Sequence, residues 1–188
     1  MNSEMNGLAG RLPDTDSATS TRPRGINVSG YLRTESGVGA AIRGYLRALR
    51  SLDIPLALKD LSELNINRAE DRTLTHFDSD HPYDVNLVCA DVDLHFALLS
   101  HLGEEFFSER YNVAIWAWEL PQFPKKWYGR FAYYDEVWVG TSFIANALAP
   151  VAPIPVVRIP PVLTAGTAGS GGATGAAGAP GGGGPSAQ

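Results

Sequence analysis

The sequence predicts an α/β domain built on a doubly wound, Rossmann-like parallel sheet, a single domain with disordered tails. Three observations lead there. Short apolar runs without polar alternation recur along residues 25–163, as expected of strands covered on both faces. Segments with helical spacing separate these runs, and right-handed crossovers assemble such units into one parallel sheet. Apolar periodicity then stops abruptly at both ends of this stretch.

The elements follow in order. Ile26 to Tyr31 reads as the first strand. Val38, Ile42, Tyr45, Leu46 and Leu49 recur at helical spacing, with Arg43, Arg47 and Arg50 on another face. Ile54 to Lys59 is the second strand and Val85 to Ala90 the third. Asp91 or Asp93 suits the cap of a helix carrying Val92, Phe96, Leu99 and Leu102 on one stripe. Tyr111 to Trp116 is the fourth strand. Pro124 suits the first turn of a helix carrying Trp127 and Phe131. Glu136 to Val139 is the fifth strand. Thr141 or Ser142 caps a helix that turns Ile144, Ala147 and Leu148 inward, and Pro155 to Ile159 is the sixth strand. Between Asp60 and Asp84 the chain is polar and shows no clear element. A loop of that length in a compact domain is either functional or holds a short helix.

Composition sets the domain limits. Residues 1–24 are rich in Ser, Thr, Asp and Gly, and residues 164–188 hold 10 of the 20 glycines and no charge. Such segments bury too little side-chain area to offset the entropy of ordering, so both read as disordered and the second as a flexible linker. The net charge of −5 contains no block of like charges, which argues against nucleic acid as a partner. Cys89 is the only cysteine, which excludes an intrachain disulfide and suits a reducing, cytoplasmic setting. The N-terminal residues include Glu4, Asp14 and Asp16 and lack the apolar core of a secretory signal. The apolar run around Val113 to Trp118 is far short of the ~20 residues that span a bilayer. Peripheral contact with a membrane surface stays open.

In an open parallel sheet, ligands bind beyond the carboxyl ends of the strands. This selects Thr34 to Ala40, Ala90 to Asp93, Trp118 to Pro121 and Gly140 to Ser142. The first holds Ser36, Gly37, Val38 and Gly39 at a strand-to-helix turn, where glycine admits close approach and free N–H groups favour an anion such as a diphosphate. A tight turn without a ligand explains the same residues. The segment is not a P-loop, because no Lys-Ser or Lys-Thr follows, and Ile42 stands where a dinucleotide fingerprint has its third glycine. In the third segment, Trp118 and Glu119 place an indole beside a carboxylate. Indole faces stack on sugar C–H surfaces, and a carboxylate accepts hydrogen bonds from hydroxyls. Surrounding rings would also desolvate Glu119 and suit it to proton transfer. Alternatively, Trp116 and Trp118 are core and Glu119 is a cap or an ion-pair partner. The histidines show no metal-ligand spacing, so they read as solvated or core. Ser29, Ser36 and Ser142 lack a nucleophile-elbow context.

The same segments carry a resemblance. Gly25-Ile26-Asn27-Val28-Ser29-Gly30-Tyr31-Leu32, then Glu35-Ser36-Gly37-Val38-Gly39 and Arg43-Gly44-Tyr45, resembles the opening of family 4 glycosyltransferases. Tyr111 to Pro121, reading YNVAIWAWELP, is similar to a segment of a bacterial subgroup of that family. Asp135 to Val139 with Thr141-Ser142-Phe143 resembles the segment that follows it, and Pro155 to Val162 resembles the lead into a second domain. The resemblance covers residues 25–163. It implies a GT-B architecture of two facing Rossmann-like domains, and retaining transfer of a sugar from a nucleotide donor to a hydroxyl acceptor, glycan or lipid-linked. It implies no separate cofactor, since the nucleotide sugar is a substrate.

By that resemblance Ser36, Gly37, Val38 and Gly39 face the donor phosphates. Asp91, Trp118, Glu119, Pro121, Thr141 and Ser142 face the acceptor, with Glu119 the candidate catalytic group. Many members carry a histidine in the loop where this sequence has Glu119. Nothing after Arg158 is charged, so the groups that hold a donor are missing. The chain therefore reads as an acceptor-side half, inactive unless a separate donor domain completes it. The alternative is a non-catalytic carbohydrate- or nucleotide-binding module. A dinucleotide enzyme is disfavoured by Ile42.

Overall fold

The computed structural model describes residues 21–162. The expected tails, 1–24 and 164–188, lie outside these residues apart from 21–24. Six strands form one all-parallel sheet: β1 (Ile26–Gly30), β2 (Leu56–Asp60), β3 (Val85–Cys89), β4 (Tyr111–Ile115), β5 (Glu136–Val139) and β6 (Val156–Arg158). Their order is β2-β1-β3-β4-β5-β6, a Rossmann-like sheet. From β1 the chain winds to one side for β2, then crosses back for β3 and onward. The direction therefore reverses between β1 and β3, and a crevice opens beyond their carboxyl ends.

Among the described residues, three α-helices cover the sheet: α1 (Gly37–Arg50), α2 (His95–Leu102) and α3 (Ser142–Leu148). On one face, Val28, Leu87, Val113 and Ile115 pack with Ile42, Tyr45 and Leu46 of α1. On the other, Val88, Ala114 and Val137 pack with Leu98, Phe107, Phe131 and Leu148. Burial on both faces is why the strands read as unbroken apolar runs.

That second face also holds a polar row. Asn27, Asn86 and Asn112 stand in register on β1, β3 and β4, all buried. Asn27 Nδ2 donates to Asn86 Oδ1 at 2.9 Å, and Asn86 Nδ2 donates to Asn112 Oδ1 at 2.8 Å. The remaining amide protons go to the carbonyls of Tyr83, Phe106, Phe107 and Arg110. Every amide hydrogen in the row is used, which fixes the register of three strands and tolerates no slip.

Three expectations change. The stripe meets the core at Val92, Leu99 and Leu102, but Phe96 leaves it. A 3-10 turn at Val92–Leu94 precedes α2, so the buried positions fall three apart at Val92, His95 and Leu98, and Phe96 is 70% exposed. Asp91 occupies the cap position of that turn without a side-chain capping bond. Pro124 heads a 3-10 run, Lys125–Tyr133, and not an α-helix. Arg43 of α1 is tied into the loop after β1. It donates to the carbonyls of Leu32 and Thr34 and pairs with Asp71 at 3.1 Å.

The long polar segment holds a 3-10 turn at Ser62–Leu64, as one of its two readings expected. The rest is tied down. Asp71 N donates to Arg33 O and Glu35 N to Arg68 O. Asp78 takes Leu58 N on its carboxylate and donates its own N–H to Leu58 O, which covers the open edge of β2. Among the described residues, no helix is long and apolar enough to cross a membrane.

Candidate functional site

A cleft of about 460 Å³ lies at the carboxyl edge of the sheet. Val38 enters it from the start of α1. Asp91, Val92 and Asp93 come from the turn after β3. Ala117, Trp118, Glu119 and Leu120 come from the loop after β4, and Trp127 from the 3-10 run that follows. The fold thus brings Val38, Asp91, Trp118 and Glu119 together, beside the point where the winding reverses. β3 stands between β1 and β4, so Asp91 sits between the two loops.

Asp91 is the held carboxylate of this cleft. Its N–H donates to the hydroxyl of Tyr31 at 3.1 Å, and Asn65 Nδ2 donates to its Oδ2 at 3.3 Å. Burial pushes the Asp91 carboxyl above its ordinary value. The charge of Asp93 adds to this, a hydrogen bond from Tyr31 works against it, and the charge of Glu119 raises it further. Tyr31 is fully buried at the end of β1, and burial pushes its phenol up to about 12, so it stays a neutral donor. Glu119 differs from its expected setting. Its side chain is exposed, so the tryptophans do not enclose it. The desolvated carboxylate of this edge is Asp91.

The two tryptophans before Glu119 divide their roles. Trp116 is core, 4% exposed and stacked on Phe123 at 5.8 Å. Trp118 lines the cleft, meets Trp127 edge-on at 5.1 Å and donates from Nε1 to Gln122 O at 3.2 Å. The sequence reading has Trp127 on a helix after Pro124. The tighter 3-10 winding puts it in the cleft wall. Behind it lies Arg130, 8% exposed, its guanidinium over the rings of Trp127 and Phe96 at 5.2 and 5.5 Å.

The glycine turn is built differently from a phosphate cradle. Ser36 caps α1, and its Oγ accepts from Gly39 N at 3.1 Å, so that N–H is already satisfied. A Cβ on Gly39 would lie 2.2 Å from Thr34 O, so glycine is required there by the backbone of its own loop. Gly37 is exposed and has open space where a Cβ would stand. The N–H groups of Gly37 and Val38 have no hydrogen-bond partner among the described residues.

Thr141, Ser142 and Pro121 do not line this cleft. Thr141 Oγ1 caps α3 by accepting from Ile144 N at 3.2 Å, and Ser142 is exposed in the first turn. Pro121 borders a neighbouring groove. Among the described residues, no group of three or more His, Cys, Asp or Glu side chains is placed to hold a metal ion. Cys89 is buried, and its thiol is pushed up to about 12 by that burial. No family model, curated protein or solved structure matches the chain.

The chemistry of the cleft follows from its lining. Three carboxylates, Asp91, Asp93 and Glu119, offer acceptors to hydroxyl groups. Trp118 and Trp127 offer aromatic surface for C–H faces. Negative charge beside Asp91 opposes a phosphate in the same space. The residues that sequence reasoning missed are Tyr31, Asn65 and Trp127. The first two hold Asp91 across long sequence separations, and only the third left a local signal, as an aromatic in the segment after Glu119.

Proposed function

We propose that the chain is the acceptor-side half of a retaining, nucleotide-sugar-dependent glycosyltransferase of GT-B type. Its domain would hold a hydroxyl-rich acceptor in the cleft, with a separate donor domain completing the site. The order and spacing of the family 4-like segments support this reading, and so does a Rossmann-like domain whose cleft lies at the switch point of the sheet. The single observation that carries it is Asp91, half-buried, its backbone N–H held on the Tyr31 hydroxyl and its carboxylate on Asn65, and flanked by Trp118 and Trp127. Asp91 would accept the hydrogen bond of the acceptor hydroxyl and aim its lone pair across the cleft. The indoles would stack on the sugar ring. Gly37, outside the lining of the cleft, would offer its free N–H to the donor phosphates away from Asp91.

The test has two arms. Methyl glycosides of glucose, galactose and mannose are titrated while the indole NMR signals of Trp118 and Trp127 are followed. At least one is expected to shift both signals saturably. Nucleotide sugars are then supplied with the same glycosides, and no transfer is expected, because positioning of both substrates supplies much of the rate. Silence of both indoles with every glycoside would remove the acceptor assignment. Transfer by the chain alone would remove the half-enzyme assignment.

One observation favours a second reading. Among the described residues, the lining of the cleft comes from this one domain, which suits carbohydrate binding without transfer. Glycoside binding that stays catalytically silent after addition of a donor domain would favour it.

A further inference from the structure

We infer that the ligand of this cleft is amphipathic, with its hydroxyl head against Asp91 and an apolar chain laid along the neighbouring groove. This rests on the acceptor reading above. The groove encloses about 640 Å³. Phe123 and Tyr128 form one wall, their rings parallel within 4° at 6.3 Å, and Ala147 and Val151 form the other. Both hollows fall in the ~300–1,000 Å³ range of small-molecule sites.

The two hollows differ in chemistry and share a wall. The cleft presents three carboxylates, whereas among the described residues the only charged group lining the groove is Lys125. Leu120 lines both, and it is 57% exposed. A lone exposed leucine is ordinary on a protein surface. This one forms the sill between an acidic, indole-walled pocket and an apolar trough. A molecule held by its hydroxyls at Asp91 therefore meets the trough directly beyond Leu120.

The occupant follows from that continuity. A purely polar glycan would leave the apolar wall of Tyr128, Ala147 and Val151 unmatched. A purely apolar partner would stop at Leu120 and meet the carboxylates. One molecule with a neutral polyhydroxyl head and an alkyl or prenyl chain matches both. The walls are also held in advance. Phe123 packs on Trp116, Trp118 and Trp127 within 5.9 Å, so seating a chain costs little reordering.

The test uses the full chain and alkyl β-glucosides from methyl to octyl, kept below micelle formation. Methyl NMR signals of Leu120, Ala147 and Val151 report on the groove, and indole signals of Trp118 and Trp127 on the cleft. Methyl glucoside is expected to move the indoles alone, and octyl glucoside to move both sets. Affinity is expected to tighten roughly fourfold for each methylene seated. Asn146→Trp places bulk into the groove from an exposed position on α3 and is expected to abolish this length dependence while methyl glucoside binding persists. Indole shifts with unmoved groove methyls would overturn the inference and leave the acceptor reading standing. Groove shifts with unmoved indoles would overturn both. Length dependence that survives in Asn146→Trp would put the chain elsewhere and overturn the inference. Concentration-dependent shifts of the groove methyls without glucoside would assign the groove to a second copy of the chain, with the same result.

Discussion

Replacing Asn86 by leucine tests whether the asparagine row holds the sheet that carries the cleft. The side chains are close in size, so the change removes hydrogen bonds with little change of volume. Three bonds go: from Asn27 Nδ2, to Asn112 Oδ1 and to Phe106 O. Phe106 O keeps a donor, Arg110 Nη1 at 2.7 Å. One amide hydrogen of Asn27 and the carbonyl oxygen of Asn112 are left buried without partners. Each such orphan costs about 1–3 kcal/mol, so Asn86→Leu is expected to cost about 2–6 kcal/mol. That is a large share of the ~5–15 kcal/mol that holds a domain together. Urea unfolding followed by tryptophan fluorescence reads the cost as a lower midpoint with unchanged slope. Adding Asn112→Leu removes one orphan, so the double variant is expected to cost less than the sum of the singles by about 0.5–3 kcal/mol. A single-variant cost under about 1 kcal/mol, or strict additivity, would refute the reasoning.

Three further outcomes are expected. Burial first, and the charge of Arg130 second, push the His95 imidazole down to about 4. The unfolded chain takes up that proton near pH 6.5 and the folded one resists, so stability is full above 6.5 and falls by about 3 kcal/mol as pH drops to 4. Asp91 titrates with the opposite sign and cancels when wild type is compared with His95→Leu, which should show the shallower fall in acid melts. Gly39→Ala should destabilise by about 1–3 kcal/mol through its contact with Thr34 O, whereas Gly37→Ala, in open space, should be neutral or slightly stabilising in the same melts. Thr141→Ala should cost about 1 kcal/mol by removing the cap of α3, with glycoside binding unchanged.

The strands were legible because each is covered on both faces. All six lie within two residues of where their apolar runs predict them. The α1 cap was legible as a glycine turn, but the reason for Gly39 was not, since it depends on where Thr34 O comes to lie. After β3 the expected stripe failed at Phe96 alone, because a 3-10 turn shortens the repeat by a fraction of a residue and rotates that ring outward, while Leu99 and Leu102 still meet the core. Trp127, on the 3-10 run, packs on the core and lines the cleft at once. Glu119 drew attention as the carboxylate among aromatics in sequence. In space that description fits Asp91 better, because Tyr31 and Asn65 reach it across 60 and 26 positions. The asparagine row had a visible sign, an asparagine second in β1, β3 and β4, but its meaning appears only once the strand order sets the three side by side.

The central claim is that Asp91 holds a hydroxyl ligand in a carboxylate and indole cleft, and a paired titration tests it most directly. Wild type, Asp91→Asn and Glu119→Gln are titrated with the glycoside that shifts the indoles of Trp118 and Trp127, and their melting temperatures are measured alongside. Asp91→Asn exchanges an ionised acceptor for a weaker neutral one, and hydrogen bonds to charged groups contribute about 1.5–3 kcal/mol. Binding should therefore weaken roughly tenfold or more in Asp91→Asn, and several times less in the exposed Glu119→Gln, with both variants folded. Equal affinity for wild type and folded Asp91→Asn would contradict the claim.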